Sequence, residues 1–272
     1  MNRRTFTHTL ATAALSAVVA PLQAAPASSE SSSKAPPFPL SVMLWTVFTD
    51  LPFEERLAKV AEAGYSNVEL VGEYSKWSAA DFARANTARK RLGIEFDATA
   101  GLAHGIADPA SRDALLAELR QALTPMETLK RAAALVEGRM INGQPVRLLL
   151  ECIDPEENPR YFLTSAAEAI EVVRQVNHPQ VQFLYDIFHE QIAEGNLIEK
   201  LDKHIDVIGL IHVANVPGRH EPGTGEINYF NIYRKLAQLN YKRMVAMEFH
   251  PTGDPVATLR AAKALALNAG AI

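Results

Sequence analysis

Two textures alternate along this chain. Short, nearly uninterrupted apolar runs stand at Leu40 to Trp45, Asn67 to Val71 and Ile94 to Thr99, and four more end at Glu151, Asp186, His212 and Glu248. Between them lie stretches with apolar residues at helical spacing: 52–64, 79–92, 165–176, 191–203, 229–239 and 255–267. Short apolar runs with little alternation are the mark of strands covered on both faces, the parallel-sheet case. Helix boundaries agree with this division. Pro52 stands where a first turn tolerates proline, Gly64 and Gly93 stand where helices stop, and Ser165-x-x-Glu168 fits a capping box. The ends of the last four runs are separated by 35, 26 and 36 residues, room each time for one helix and two loops. This rhythm predicts an α/β fold, a TIM (β/α) barrel with a polar residue at each strand's C-terminal end.

One stretch breaks the rhythm. From Pro109 to about Gly138 there is only helical periodicity, interrupted at Thr124-Pro125, and no apolar β-branched run precedes the one ending at Glu151. The count is therefore seven strands where a closed barrel needs eight. The expectation is an incomplete barrel whose fourth strand–helix unit is missing.

Composition places all of this in one domain. A hydrophobic fraction of 48% in 272 residues is ample for a single large core. A formal charge of −4 with no basic stripe argues against nucleic acid as a partner. The single cysteine, Cys152, excludes an intramolecular disulfide, and its position next to Glu151 in a strand turns it to the opposite face. Residues 1–24 read differently: Arg3-Arg4-Thr5-Phe6, an alanine-rich apolar run from Leu10 to Val19, then small residues. That is the form of an export signal of the twin-arginine type, and it implies a periplasmic protein. The apolar run is too short for a good membrane anchor. Losing the leader would take the charge from −4 to −6, because Arg3 and Arg4 are its only charged side chains. Residues 25–37, rich in Ser, Ala and Pro, read as a disordered linker, with the barrel domain spanning 38–272.

The strand ends carry the chemistry. Glu151, Asp186, His212 and Glu248 form a mainly oxygen ligand set, suited to Mn²⁺ or Mg²⁺, with Zn²⁺ or Co²⁺ as alternatives. A pair of salt-bridged carboxylates and a satisfied core histidine are the plain structural alternatives. His189, just past Asp186, and Arg219, in the Gly- and Pro-rich loop 217–226, are candidates for holding a substrate's polar end. His104 is a weaker candidate for the pocket wall, and Trp45, Phe48 and Trp77 could wall a sugar-sized pocket or simply pack in the core.

Several of these segments match a known family. Glu151 at its strand end, Tyr185-Asp186-Ile187-Phe188-His189, His212, and above all the run from Pro217-Gly218-Arg219-His220-Glu221-Pro222 to Tyr229 resemble hydroxypyruvate isomerase, of the xylose-isomerase-like superfamily. The likeness runs from about Phe38 to the C-terminus. It implies a divalent metal held by Glu151, Asp186, His212 and Glu248, with Glu151 and Glu248 also moving protons through an enediolate. It further implies a small-molecule substrate such as hydroxypyruvate, converted to tartronate semialdehyde, and it leaves room for a homo-oligomer. The family's members carry a longer segment between Leu123 and Ala132. An exported enzyme points as well to a ketosugar epimerase or a 3-oxo-glycoside lyase, and the shortened segment to a non-catalytic binding protein.

Overall fold

The computed structural model describes residues 36–100 and 125–270, apart from 142, 160 and 162. Its main element is a seven-stranded, all-parallel sheet made of β1 (Leu40–Met43), β2 (Asn67–Val71), β3 (Glu95–Ala100), β6 (Leu148–Glu151), β7 (Val181–Asp186), β8 (Ile208–Val213) and β9 (Met244–Met247). A small antiparallel hairpin of β4 (Met140–Ile141) and β5 (Gln144–Pro145) lies apart from it. The order across the sheet is β3-β2-β1-β9-β8-β7-β6. The first and last strands of the chain's cycle, β1 and β9, are therefore paired as in a closed barrel, with Val42 opposite Met247. Among the described residues, β3 and β6 are unpaired with each other, and residues 101–124, on which the expectation of a missing fourth strand mainly falls, lie outside the described part.

Among the described residues eight α-helices alternate with these strands: α1 (Phe53–Glu62), α2 (Ala79–Leu92), α3 (Pro125–Val136), α4 (Ala166–Val176), α5 (Ile187–Ala193), α6 (Leu197–His204), α7 (Tyr229–Gln238) and α8 (Pro255–Gly270). Their starts follow local chemistry. Ser78 and Asp81 form a reciprocal capping box on α2, and the Ser165 hydroxyl accepts from the Glu168 amide at the start of α4. The single helix expected over 191–203 is instead two. Gly195 and Asn196 both adopt left-handed backbone, φ 66° and 54°, which ends α5 and starts α6 in a new direction. Among the described residues, no helix is long and apolar enough to cross a membrane.

The parallel strands alternate between two apolar layers. Val42, Val68, Phe183, Tyr185, Ile211, Val213, Val245 and Met247 belong to the large core shared with the helices. A smaller cluster, Leu184, Leu210 and Ala246 with Ala98, Leu149 and Met244, fills the inner side of the sheet. Two residues beyond Leu149, Leu184, Leu210 and Ala246, hence on the same face, come Glu151, Asp186, His212 and Glu248. The inner layer is thus a short apolar plug with the polar strand ends above it. Gly209 makes that layering fit. A β-carbon there would stand 2.6 Å from Gln182 Oε1, 2.7 Å from Leu149 Cδ2 and 2.8 Å from Gln182 Cβ. The register between β7 and β8 skips this residue, stepping from Phe183 opposite Ile208 to Leu184 opposite Leu210.

Candidate metal centre and acid–base site

Register brings the strand ends to one mouth: Asp186 pairs with His212, and His212 with Ala246, two residues before Glu248. One ligand atom from each of Glu151, Asp186, His212 and Glu248 lies within 4.8 Å of the others. His212 Nδ1 stands 2.7 Å from Glu248 Oε2 and 4.0 Å from Glu151 Oε1. The shorter contact is an ion pair, and Glu248 Oε2 also lies 2.7 Å from Arg219 Nη2. A buried imidazole nitrogen and three carboxylates converging on one point are a donor set that a divalent cation would satisfy, so the residues fit a metal.

Electrostatics in the protein free of metal points the same way. Burial raises the Glu151 carboxyl to about 8, with Glu248 and Asp186 adding to the effect against the opposing pull of His212. Burial also opposes charge on Glu248, but His212, Arg219 and Trp45 outweigh it and hold this carboxyl well below its ordinary range. His212 shows the converse: burial disfavours its imidazolium, yet Glu248 and Glu69 raise it well above the usual value. A proton therefore occupies the centre wherever a cation does not.

Asp186 serves two elements at once. Its Oδ1 accepts from the Phe188 amide and caps α5, while its Oδ2 lies 3.0 Å from Arg219 Nη2 and 3.3 Å from His189 Nε2. His189 sits in the first turn of α5, so the cap also orients it, and its Nδ1 is 2.6 Å from Asp154 Oδ2. Arg219 arrives from the loop after β8. There Asn215 Oδ1 accepts from the Val216 and Ile227 amides, pinning both ends of the loop. Arg219 then spends its donors within the protein: Nη1 on Glu157 and His189, Nη2 on Asp186 and Glu248, Nε on the Glu248 carbonyl. In this arrangement it clamps two candidate ligands, and Glu157, with 42% of its side chain exposed, is the one partner that a substrate could displace. Asp154, Glu157 and His189 form a second candidate cluster, but Arg219, 2.7 Å from Glu157, already supplies its positive charge.

Several residues that sequence reasoning passed over belong here. Glu69 lies 3.0 Å from His212 Nε2 and is 1% exposed. Trp45, expected as a pocket wall or as core packing, donates its indole N–H to Glu248 Oε1 at 2.9 Å, a role in neither reading. Asp154 and Glu157 frame His189. The one signal for Glu69 was a charge flanked by Val68 and Leu70 in a short apolar strand. Trp77, half-buried, packs edge-to-face on Phe53 and Phe82 between α1 and α2. Cys152 is buried, and burial pushes its thiol up, so it is inert as expected. His104 lies outside the described residues.

A parallel (β/α) sheet with hard ligands gathered at the C-terminal ends of its strands defines a TIM-barrel enzyme. The chain belongs to the xylose isomerase-like TIM barrel family, whose profile matches residues 126–267. It is 31% identical over 257 residues to a putative hydroxypyruvate isomerase of Danio rerio, covering 78% of this chain and 90% of that one. It is 28% identical over 241 residues to a 2-oxo-tetronate isomerase of Pectobacterium atrosepticum, covering 76% and 90%. Among solved structures, an AP endonuclease of family 2 from Brucella melitensis superposes with a TM-score of 0.66 at 26% identity, covering 83% of this chain and 97% of that one. These relatives make the chain an isomerase, as its strand ends and loop motif led one to expect.

Proposed function

We propose that this isomerase acts on a small hydroxycarbonyl acid, converting hydroxypyruvate or a close 2-oxo acid by proton transfer between neighbouring carbons, with Mn²⁺ or Mg²⁺ bound by Glu151, Asp186, His212 and Glu248. The observation that carries this is the convergence of those four candidate ligand atoms within 4.8 Å of one another. The relatives named for hydroxypyruvate and 2-oxo-tetronate support the substrate class. A bound divalent cation would supply positive charge beside the carbonyl and hydroxyl oxygens, stabilising an enediolate. Glu151 Oε1 and Glu248 Oε2 lie 4.0 Å and 2.7 Å from His212 Nδ1. One of the two carboxylates takes the proton from C3 of hydroxypyruvate and it is passed on, through the other, to C2, while the hydroxyl proton moves from O3 to O2, giving tartronate semialdehyde. Arg219 keeps Asp186 and Glu248 in place, and with His189 it receives the substrate's carboxylate when Glu157 yields. The Arg3-Arg4 segment supports export to the periplasm, which cell fractionation with and without Arg3→Lys and Arg4→Lys tests.

The purified protein is to be assayed with hydroxypyruvate, 2-oxo-tetronate and a ketohexose, each with Mn²⁺ or Mg²⁺ and beside Glu151→Gln. Turnover of either acid, lost in the variant, supports the reading. Turnover of the ketohexose alone would move the protein to epimerisation, and absence of bound metal would refute the centre itself.

A further inference from the structure

We infer that Glu69 is a positioning residue for the metal centre: it fixes the His212 ring from across the sheet so that Nδ1 faces the ligand carboxylates. This rests on the proposed metal centre and assigns a residue outside its ligand set.

Glu69 is on β2 and His212 on β8, strands with β1 and β9 between them. Their side chains meet across the inner face, with Glu69 Oε2 3.0 Å from His212 Nε2. Neither is accessible: 1% of the His212 side chain and 2% of that of Glu69 is exposed. A carboxylate buried this deeply is unfavourable unless it serves a partner. Nor does Glu69 find one elsewhere, since its Oε1 is buried without a hydrogen bond. A ring nitrogen this close to a carboxylate is a donor, so Glu69 keeps a proton on Nε2 when the ring takes up a cation. The proton that leaves is then the one on Nδ1, whose lone pair faces Glu248 Oε2, 2.7 Å away, and Glu151 Oε1, 4.0 Å away. Without Glu69 the ring is free to exchange tautomers or turn about its axis. A carboxylate behind a ligating imidazole fixes both and makes the ring a stronger donor.

The position also matters mechanically. Among the described residues the two halves of the sheet are joined by strand pairing only at β1 and β9, the seam between β3 and β6 being open. The Glu69–His212 contact is a second tie between them, and it ends on the centre itself. It makes metal occupancy sensitive to β2, which contributes no ligand.

The test is Mn²⁺ binding to the full-length protein, measured by equilibrium dialysis and electron paramagnetic resonance, for wild type, Glu69→Gln and Glu69→Leu. Gln keeps the volume and an acceptor oxygen but loses the charge; Leu loses both. The expected order of affinity is wild type, Gln, Leu, with Leu weaker by roughly 10- to 100-fold and Gln weaker by roughly fivefold or more. Ring ¹⁵N spectra of the protein loaded with diamagnetic Zn²⁺ should show one His212 tautomer in wild type and exchange in the Leu variant. Should Leu fail to fold, the Gln affinity decides. Variants that bind Mn²⁺ within about threefold of wild type with unchanged ring spectra would overturn the inference and leave Glu69 a brace. A wild type that takes up no Mn²⁺ would instead bring down the metal centre, a distinct outcome.

Discussion

Metal uptake should be driven by pH in a way that the geometry allows to be worked out. Burial raises the Glu151 carboxyl to about 8, so in the metal-free protein it is mostly protonated at neutral pH. Ligation requires the carboxylate, so binding expels that proton. A group with a raised value is protonated below it, so affinity is lost as pH falls through about 8. At pH 6 the work of removing this proton is about 2.7 kcal/mol, roughly a hundredfold in affinity. His212 is raised too, by Glu248 and Glu69 against the effect of burial, and its Nδ1 proton must also leave. The expected slope of log affinity against pH is therefore about two below pH 7 and falls toward one above pH 8, where the Glu151 proton is already gone and the His212 proton has still to leave. In Glu151→Gln the slope should fall by about one, because one titrating group is gone. Isothermal calorimetry with Mn²⁺ at pH 6, 7 and 8, in two buffers of different ionisation enthalpy, measures both the slope and the protons released. Affinity that stays level from pH 6 to 8, or an unchanged slope in the Gln variant, would refute the assignment of the proton to this carboxyl.

Three further outcomes are expected. Saturating Mn²⁺ at about 100 times its Kd should add about 2.7 kcal/mol of stability and raise the melting temperature by roughly 5–10 °C, reversed by a chelator; calorimetry showing no shift would count against a preformed centre. Gly209→Ala should lose about 1–3 kcal/mol in chemical denaturation, because the new methyl meets Gln182 and Leu149 within 2.8 Å. Trp45→Phe keeps an aromatic ring but removes the N–H that holds Glu248 Oε1. It should lower kcat by roughly tenfold with KM little changed, and an unchanged kcat would make Trp45 a wall only.

The clustering of Glu151, Asp186, His212 and Glu248 was legible because each ends its own apolar run, where a polar side chain stands out against Leu, Ile and Val. Strand parity then places all four on one face, a consequence of the period of two that needs no tertiary information. Their partners were not legible. The Trp45–Glu248 contact spans 203 positions and the Glu69–His212 contact 143, and nothing local in either strand announces the other. Arg219 was visible as a charge held in a Gly- and Pro-rich loop. Its engagement with Asp186, Glu248, Glu157 and His189 depends on how Asn215 folds that loop back, which the sequence does not encode in any spacing. The break between α5 and α6 was missed for a different reason. Helical periodicity carries on through 191–203, but Gly195 and Asn196 together tolerate left-handed backbone at little strain, and two consecutive such residues override the apolar pattern.

The gap between β3 and β6 among the described residues bears unequally on the four candidate ligands. Strands β6, β7, β8 and β9 are contiguous in the sheet, so the open seam leaves the ligand-bearing run whole. Within it, Asp186 and His212 lie on strands with neighbours on both sides, and Glu248 follows directly on such a strand, β9. Glu151 alone sits on an edge among the described residues: β6 pairs with β7 and with nothing on its other side. Its exposure follows, 27% of the side chain against 1% for Asp186 and His212 and 8% for Glu248. Backbone amides on an edge strand exchange by smaller openings than those flanked on both sides. Hydrogen exchange should therefore be fastest in β6 and should slow there on Mn²⁺ binding, because the cation would tie the edge carboxylate to three side chains already held. Uniform protection across β6 to β9 without metal would mean that the edge is covered and that Glu151 is as firmly placed as its partners.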